Sequence, residues 1–269
     1  MEVTDGKLMQ LQRQFERFVP SEVVERLTGP DPGIEPARRN VTVMFADLRG
    51  FTAMCDRLGP NVIVTILNEY LSRMIPAIVR HHGQVTELVG DGLLALFGAL
   101  DNNPWQALDA VLAAQAMRAE LAAYNSELRT RGLPELKFGI GIHGGEMVAG
   151  VIGARGLSKF SVTGDPINVA SRIEGLTSHF KVDLLISEEI RGALDDRFQL
   201  HAMPLATVKG KAVPLQTYFV VPDCAPPDAA LSRLGTAPAP ASDPFSRRAC
   251  TQCRAARGGR AGSAGETRR

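Results

Sequence analysis

Apolar residues follow two different periods along the middle of the chain. Residues 41–48, VTVMFADL, form a nearly continuous apolar run, which is typical of a buried central strand. Between residues 60 and 82 the apolar side chains recur at helical spacing, and a second long helix is predicted over about 104–130. Strands and helices in this mixed order predict an α+β fold, with helices flanking a mainly antiparallel sheet.

Glycine and proline suggest where these elements end. Gly90–Gly92 has the sequence Gly-Asp-Gly and separates two apolar runs, which predicts a β-hairpin. Gly144–Gly145 is predicted to turn one strand, LKFGIGIH, into a second, EMVAGVIG. Pro76 is expected to kink the first long helix or to start a new segment.

The two ends of the chain differ from the middle. Residues 1–37 predict a helical lead-in, either a short coiled coil or one amphipathic helix lying on its own domain. Its apolar seam would consist of Leu8, Leu11, Phe15 and Phe18. Residues 223–269 are rich in Pro, Ala, Arg and Gly and predict a tail without a packed core. A globular domain is therefore expected over 38–222.

Composition narrows the class of protein. The chain has 269 residues, 45% of them hydrophobic, and a net charge of +1, so nothing indicates general attraction to nucleic acid or to a membrane surface. We predict no membrane insertion, since the apolar runs are shorter than the ~20 residues of a spanning helix. The polar N-terminus does not resemble a secretory signal, so a cytoplasmic location is expected. Cys250 and Cys253 have metal-ligand spacing, but no second pair accompanies them.

Two aspartates stand at predicted strand ends. Asp47 closes the first apolar run and Asp91 follows the first strand of the hairpin. Carboxylates at the ends of neighbouring strands can hold two divalent ions, and ions ~3.5–4 Å apart promote in-line displacement at phosphorus. Gly50, Phe51 and Thr52 begin a helix whose backbone N–H groups could receive phosphate oxygens.

Four segments together resemble one known family. VMFADLRGFT, ELVGDGLLALFG, SVTGDPINVASRIEG and VKGKAVPLQTYFV have the order and spacing of class III nucleotidyl cyclase catalytic domains. The resemblance covers about residues 38–222. It implies a ferredoxin-like core and a head-to-tail homodimer with two active sites at the subunit interface.

The resemblance also implies roles for individual residues. Asp47 and Asp91 match the aspartates that bind two divalent ions, Mg²⁺ or Mn²⁺, with the Leu48 carbonyl as a possible further ligand. Asn168 matches the residue that orients the ribose, and Arg172 matches the residue that stabilises charge on the α-phosphate.

The last matching segment implies one more phosphate contact. Lys209 matches the lysine that binds the triphosphate, and Lys211 is the weaker candidate. Three structural alternatives remain open on the residues alone. Asn168 could cap a helix end, Arg172 could pair with an acid in the neighbourhood of Glu174, and Lys209 could be a solvated turn residue.

Glu87 stands four residues before Asp91, at the position matching the family's purine-selecting residue, and Ser161 matches its partner. A carboxylate can accept from N1–H and N2–H of guanine, and a serine hydroxyl can donate to O6. We therefore predict a guanylyl cyclase that converts GTP to cyclic GMP and pyrophosphate. The alternatives are an adenylyl cyclase acting on ATP with an unusual base pocket, and a silent cyclase-like module that binds nucleotide or dimerises.

Overall fold

The computed structural model of the chain describes residues 35–154, 157–207 and 214–222, without the side chains of 152–159. Three predicted features lie outside these residues: the seam formed by Leu8, Leu11, Phe15 and Phe18, the tail with Cys250 and Cys253, and the lysines Lys209 and Lys211. Each of them stays a prediction, as do the domain boundaries at 37/38 and 222/223.

The described residues form one sheet of eight strands. The strands are β1 (Ala37–Leu48), β2 (Gln84–Val89), β3 (Gly92–Phe97), β4 (Phe138–Ala154), β5 (Leu157–Thr163), β6 (Leu184–Ser187), β7 (Leu200–Ala202) and β8 (Thr217–Val220). Their order is β2-β3-β1-β4-β6-β8-β7, with β5 paired to β4 outside this path. The β4–β6 pair is parallel and the other described pairs are antiparallel, which confirms the predicted α+β class with a mainly antiparallel sheet.

Helices cover both faces of this sheet. They are α1 (Phe51–Cys55), α2 (Pro60–Val79), α3 (Gln106–Thr130), α4 (Asp165–Phe180) and α5 (Glu188–Gly192). Met44 and Ala46 of β1 share a hydrophobic cluster with α2 and α3. Val41 and Val43 belong to a second cluster that includes Ala170 of α4. Since alternate strand residues point to opposite faces, α4 covers the face away from α2 and α3.

One strand differs from its prediction. The expected turn at Gly144–Gly145 was wrong, because β4 continues through both glycines and pairs with β1 on either side of them. A Cβ on Gly145 would lie 2.7 Å from Cγ of Pro166, and one on Gly144 would lie 3.2 Å from Cδ1 of Ile190. These glycines therefore permit close packing against helices within a strand, which is the alternative use of glycine in a sheet.

Two of the prolines lie at the start of helices, and a third lies inside a helix. Pro60 and Pro166 stand in the first turns of α2 and α4, where a missing N–H leaves no helical bond unmade. Pro76 lies inside α2, whose last residue is Val79, so it does not begin a new segment as one prediction had it.

Among the described helices, α2 alone is long and apolar enough for a membrane span, by length and composition only. Buried core helices can meet the same criterion, and α2 buries Ile66, Tyr70 and Met74 in the main hydrophobic cluster. Its length and composition are therefore weak evidence for a membrane span.

Candidate active site

The sheet brings Asp47 and Asp91 together. Asp47 is the second-last residue of β1, and Asp91 stands in the two-residue turn between β2 and β3. β3 runs antiparallel to β1 and pairs Leu93 with Ala46, so the hairpin turn lies beside the end of β1. Gly90 in this turn has φ +65°, a left-handed conformation that glycine adopts without strain.

The two carboxyl groups lie within hydrogen-bonding reach of each other. Burial and then the charge of Asp91 raise the pKa of Asp47 above its ordinary value, while a bond from the Leu48 N–H opposes the shift. That N–H donates to Oδ1 of Asp47 at 3.1 Å. Asp47 thus sits where like charge accumulates, which a bound cation would relieve.

Glu174 on α4 adds a third carboxylate near this pair. Burial and then the charge of Asp47 raise the pKa of Glu174 to about 7, while Arg49 and the Thr177 hydroxyl act in the opposite direction. Asp47 is paired with Gly139 across β1 and β4. The Glu174 carboxylate occupies the space into which a Cβ on Gly139 would project. Asp47 and Glu174 therefore share one face of the sheet.

Two glycines allow this close approach of helix and sheet. A Cβ on Gly141 would collide with the backbone N of Glu174 and the carbonyl oxygen of Ala170. A Cβ on Gly139 would collide with the side chains of Glu174 and Thr177. The backbone of α4 lies directly on β4 at this point because both strand positions lack a side chain.

Asn168 and Arg172 face away from the aspartates. At ~100° per residue the two side chains lie within ~40° of each other on α4, and Glu174 is displaced by ~200° from Arg172. Asn168 is exposed, and the half-buried Arg172 has a buried Nη1 atom without a hydrogen-bond acceptor. Since Glu174 faces the sheet beside Asp47, one subunit does not aim the Asn168–Arg172 pair at its own aspartates.

Two of the structural alternatives find no support within the described residues. Asn168 lies inside α4, whose N-cap residue is Gly164, so Asn168 does not cap this helix. Arg172 makes no ion pair with another described residue. The third alternative concerns Lys209, outside the described residues.

The segment proposed for phosphate binding follows β1 directly. Gly50 has φ 69° and ψ 16° and is the N-cap residue of α1. Phe51 is buried and anchors the short helix, whereas Gly50 and Thr52 are exposed. The turn begins at Gly50, one residue after Arg49. It therefore lies just beyond the end of β1 that carries Asp47.

The two predicted base-selecting residues lie on different strands. Glu87 is half-buried on β2 and pairs with Leu94, at a position where the β2–β3 register shifts. Ser161 is half-buried on β5 and pairs with Gly150 of β4. Because β3 and β1 separate β2 from β4, the sheet itself does not pair these two residues.

Comparison with known proteins identifies the family. A sequence model described as the Adenylate and Guanylate cyclase catalytic domain matches residues 35–222. The chain belongs to this class III cyclase family. The chain is 34% identical to an adenylate cyclase of Anabaena cylindrica over 82% of its own length and 45% of that protein. It is 32% identical to adenylate cyclase 1 of Rhizobium meliloti over 77% of this chain and 31% of that protein. It thus spans less than half of either relative.

Solved structures agree on the fold. The chain matches the adenylyl cyclase CyaB of P. aeruginosa with a TM-score of 0.66 and 30% identity, covering 70% of this chain and 96% of CyaB. It matches the guanylyl cyclase Cya2 with a TM-score of 0.63 and 34% identity, covering 70% of this chain and 93% of Cya2. The similarity therefore extends to structures named for either nucleotide.

Class III cyclases use divalent metal ions, and the donor set of this chain suits them. Carboxylate oxygens are the ligands that Mg²⁺ and Mn²⁺ prefer. Within the described part of the chain, no group of three or more His, Cys, Asp or Glu side chains is placed to hold a metal ion by itself. Asp47 and Asp91 would therefore share an ion with other oxygens, such as substrate phosphates and water.

Sequence reasoning missed three neighbours of the aspartates. Glu174 was considered only as a possible partner of Arg172, and Arg49 and Tyr70 were not considered as part of the site. Burial raises the pKa of Tyr70, and the charges of Asp47 and Asp91 contribute. Glu174 is a charged residue at a position of α4 where helical spacing predicts an apolar one, and this was the available signal for it. Tyr70 follows the apolar spacing of α2, so its sequence pattern is that of an ordinary core residue.

Proposed function

We propose that the chain is a guanylyl cyclase that converts GTP to cyclic GMP and pyrophosphate. The observation that carries the proposal is the placement of Glu87, which lies at a bulge in the hairpin whose turn holds Asp91. A bulge re-aims the side chains next to it and is often found beside active sites. In this proposal, one hairpin carries both Glu87, which would recognise the base, and Asp91, which would bind metal.

The chemistry of the purine edge favours guanine at Glu87. A carboxylate accepts from N1–H and N2–H of guanine, but it meets the lone pair of N1 in adenine. A site built to bond one edge can reject the mismatched base by up to ~10⁴–10⁵-fold, since polar groups are left unpaired. Ser161, which can donate to O6, would complete the guanine contacts.

The remaining residues would bind and orient the triphosphate for attack by the ribose 3′-OH on the α-phosphate. Asn168 would hold the ribose, and Arg172 would donate from its fork to α-phosphate oxygens as charge develops. The backbone of Gly50–Thr52 and the Lys209 side chain would bind the departing phosphates. Divalent ions held by Asp47 and Asp91 would lower the pKa of the hydroxyl and neutralise phosphate charge.

We further propose that two copies form a head-to-tail dimer with sites at the interface. Asn168 and Arg172 face away from Asp47 and Asp91 in one subunit, so a complete site needs the pair from a second copy. The unpartnered Nη1 of Arg172 fits this arrangement, because a buried guanidinium N–H normally has an acceptor.

Turnover of GTP and ATP by the purified chain, each with Mg²⁺ or Mn²⁺, tests base selection. We expect cyclic GMP to exceed cyclic AMP by at least ~10-fold, and Glu87→Lys with Ser161→Asp to reverse the preference. Glu146→Lys is the matched control, since Glu146 is exposed on β4 and pairs with Arg38. Dominant cyclic AMP from the unmodified chain would refute guanine selection by Glu87.

Mixing two inactive variants tests the shared site. Asp47→Ala and Arg172→Ala should each abolish activity, whereas an equal mixture should regain about a quarter of it. Half of the mixed dimers would be heterodimers, and each would hold one intact site of two. Two Asp47→Ala preparations mixed together are the control. No recovery in subunits shown to exchange would mean that each site lies within one chain.

An adenylyl cyclase is the second candidate. It is favoured by the names of the relatives from Anabaena cylindrica and Rhizobium meliloti. A silent module is the third, and nucleotide binding without release of pyrophosphate would identify it. The turnover experiment separates all three, because they predict cyclic GMP, cyclic AMP and no product, respectively.

A further inference from the structure

A cavity lies at the end of the hairpin opposite Asp91. Its volume is about 340 Å³, within the range of small-molecule sites, and it opens between the start of β2 and the start of α3. The polar and aromatic residues of its wall are His82, Gln84, Asp101, Asn103, Trp105 and Asp109. None of these residues belongs to the proposed active site.

Acceptor groups dominate this wall. The Asp109 carboxylate is 13% exposed, and its Oδ2 lies 3.2 Å from Nδ1 of His82 and 2.7 Å from Nδ2 of Asn103. An ionised carboxylate only accepts, so both of these nitrogens donate to it. Asp101 adds a second carboxylate at the rim.

Two glutamine side chains add hydrogen-bond acceptors at or near the wall of the cavity. Gln84 is 8% exposed, and its buried Oε1 atom has no hydrogen-bond donor. Oε1 of Gln106 is also buried without a donor and lies against Gly98, which lines the cavity. Buried amide oxygens normally have a donor, so a ligand that brings N–H groups would satisfy what the protein does not. The last torsion of a glutamine side chain is soft enough to turn such an oxygen toward a ligand.

The outer wall is aromatic. Trp105 is 66% exposed, which is unusual for so large an apolar side chain. A tryptophan face is the best aromatic partner for a cation. His82 also lines the cavity, and its φ of 59° belongs to the turn that ends α2, where the Gly83 N–H donates to the Ile78 carbonyl.

We propose that this cavity binds a small organic cation bearing a guanidinium or primary ammonium group. The cation would lie against Trp105, donate N–H bonds to Gln84 and balance the charge of Asp109. Gln84 is the first residue of β2, and Glu87 and the Asp91 turn follow on the same hairpin. The site is separate from the proposed nucleotide contacts, so binding does not depend on which base the cyclase uses.

Trp105 provides the measurement, because it is the single tryptophan of the 269-residue chain. Agmatine titrated into the full-length protein without nucleotide should change the tryptophan emission along a saturable curve. Butylurea, a neutral analogue, should give no saturable change. A linear response to agmatine, or equal curves for both compounds, would overturn the proposal.

Variants locate the binding. Asp109→Asn should weaken agmatine binding ~10-fold or more, as expected for loss of a charged hydrogen-bond partner. Gln84→Leu should weaken binding ~3–10-fold and provides a second test if Asp109→Asn does not fold. Asp196→Asn makes the same charge change at an exposed residue outside the cavity and should leave the curve unchanged. Unaltered affinity in both cavity variants would also refute the proposal.

Discussion

Two partly buried groups of charges lie on this sheet and are arranged in opposite ways. Around Asp47 three carboxylates gather, and burial together with like charge raises the pKa of Asp47 and Glu174. At Asp183, just before β6, Arg118 of α3 donates two bonds to one carboxylate, at 2.8 and 2.7 Å. The first group places three acidic side chains close together, whereas in the second group a positive side chain pairs with a negative one.

The difference separates a site from a structural pair. Arg118 also donates to the Val220 carbonyl at 2.7 Å, so it links α3 both to Asp183 beside β6 and to β8. The Nη1 atom of Arg118 has no acceptor. Arg49 offsets only part of the negative charge in the first group. Acidic side chains held together with raised pKa values destabilise the fold and are often found where a cation or substrate supplies the missing charge. Opposite responses to the same kind of mutation should therefore distinguish the two groups.

The largest contrast should come from removing one charge in each group. Asp47→Asn should lower cyclase activity by about 10²–10⁴-fold, because several kcal/mol of electrostatic stabilisation depend on the metal ligands. Its unfolding free energy in EDTA at pH 8 should stay level or rise, since a repelling charge is lost. Steady-state kinetics and urea unfolding measure the two effects.

Asp183→Asn is the matched control, with the same chemical change in the balanced group. It should lower the unfolding free energy and leave the activity of the folded protein within ~3-fold of the unmodified chain, because Asp183 contacts no proposed substrate group. Equal loss of activity in both variants would erase the distinction.

Removing the cation should expose the structural role of the balanced group. Arg118→Met should lower the unfolding free energy by about 1–3 kcal/mol, because it removes both hydrogen bonds to Asp183 in a pair whose side chains are 11% and 38% exposed. Arg38→Met, in an exposed pair with 80% and 64% exposed side chains, should cost less than ~1 kcal/mol. Similar costs for both variants would contradict a special role for Arg118.

The smallest effect should depend on pH. The pKa of Glu174 is raised from 4.5 to about 7, so the folded state holds a proton that the unfolded state releases between these values. Stability contributed at this residue therefore falls as pH rises from about 4.5 to about 7 and stays reduced above that.

Glu174→Gln should remove this loss. In EDTA the variant should be about 1–2 kcal/mol more stable than the unmodified chain at pH 8, after allowance for solvent screening. The difference should vanish near pH 4. Urea unfolding across this range measures it, with Glu135→Gln on the surface as control. A gain that does not change with pH would point to packing instead of charge.

The fold was predictable where side-chain periodicity was strong. The apolar runs around Gly90–Gly92 predicted the hairpin, and helical spacing predicted α2 and α3 to within a few residues. Glycine within β4 was misinterpreted, because Gly144–Gly145 serves packing between sheet and helices and turn-forming glycine has the same local sequence.

The candidate site was predictable only in part. The proximity of Asp47 and Asp91 follows from strand ends and a hairpin turn, which are local features. Glu174 reaches Asp47 only because α4 crosses β4 at Gly139, and that contact joins residues distant in sequence. Neither a period nor a spacing encodes such a crossing.

Gly139 and Gly141 also set the distance between α4 and β4 at the end of the sheet that holds the candidate site. With no side chain between them, helix and sheet are in backbone contact there, and even a methyl group at Gly141 would act as a wedge under α4. The added methyl group would tilt the axis of α4, which carries Asn168 and Arg172. The tilt would displace the guanidinium of Arg172 farther than its Cα. The absence of side chains at Gly139 and Gly141 therefore determines where the Arg172 guanidinium lies.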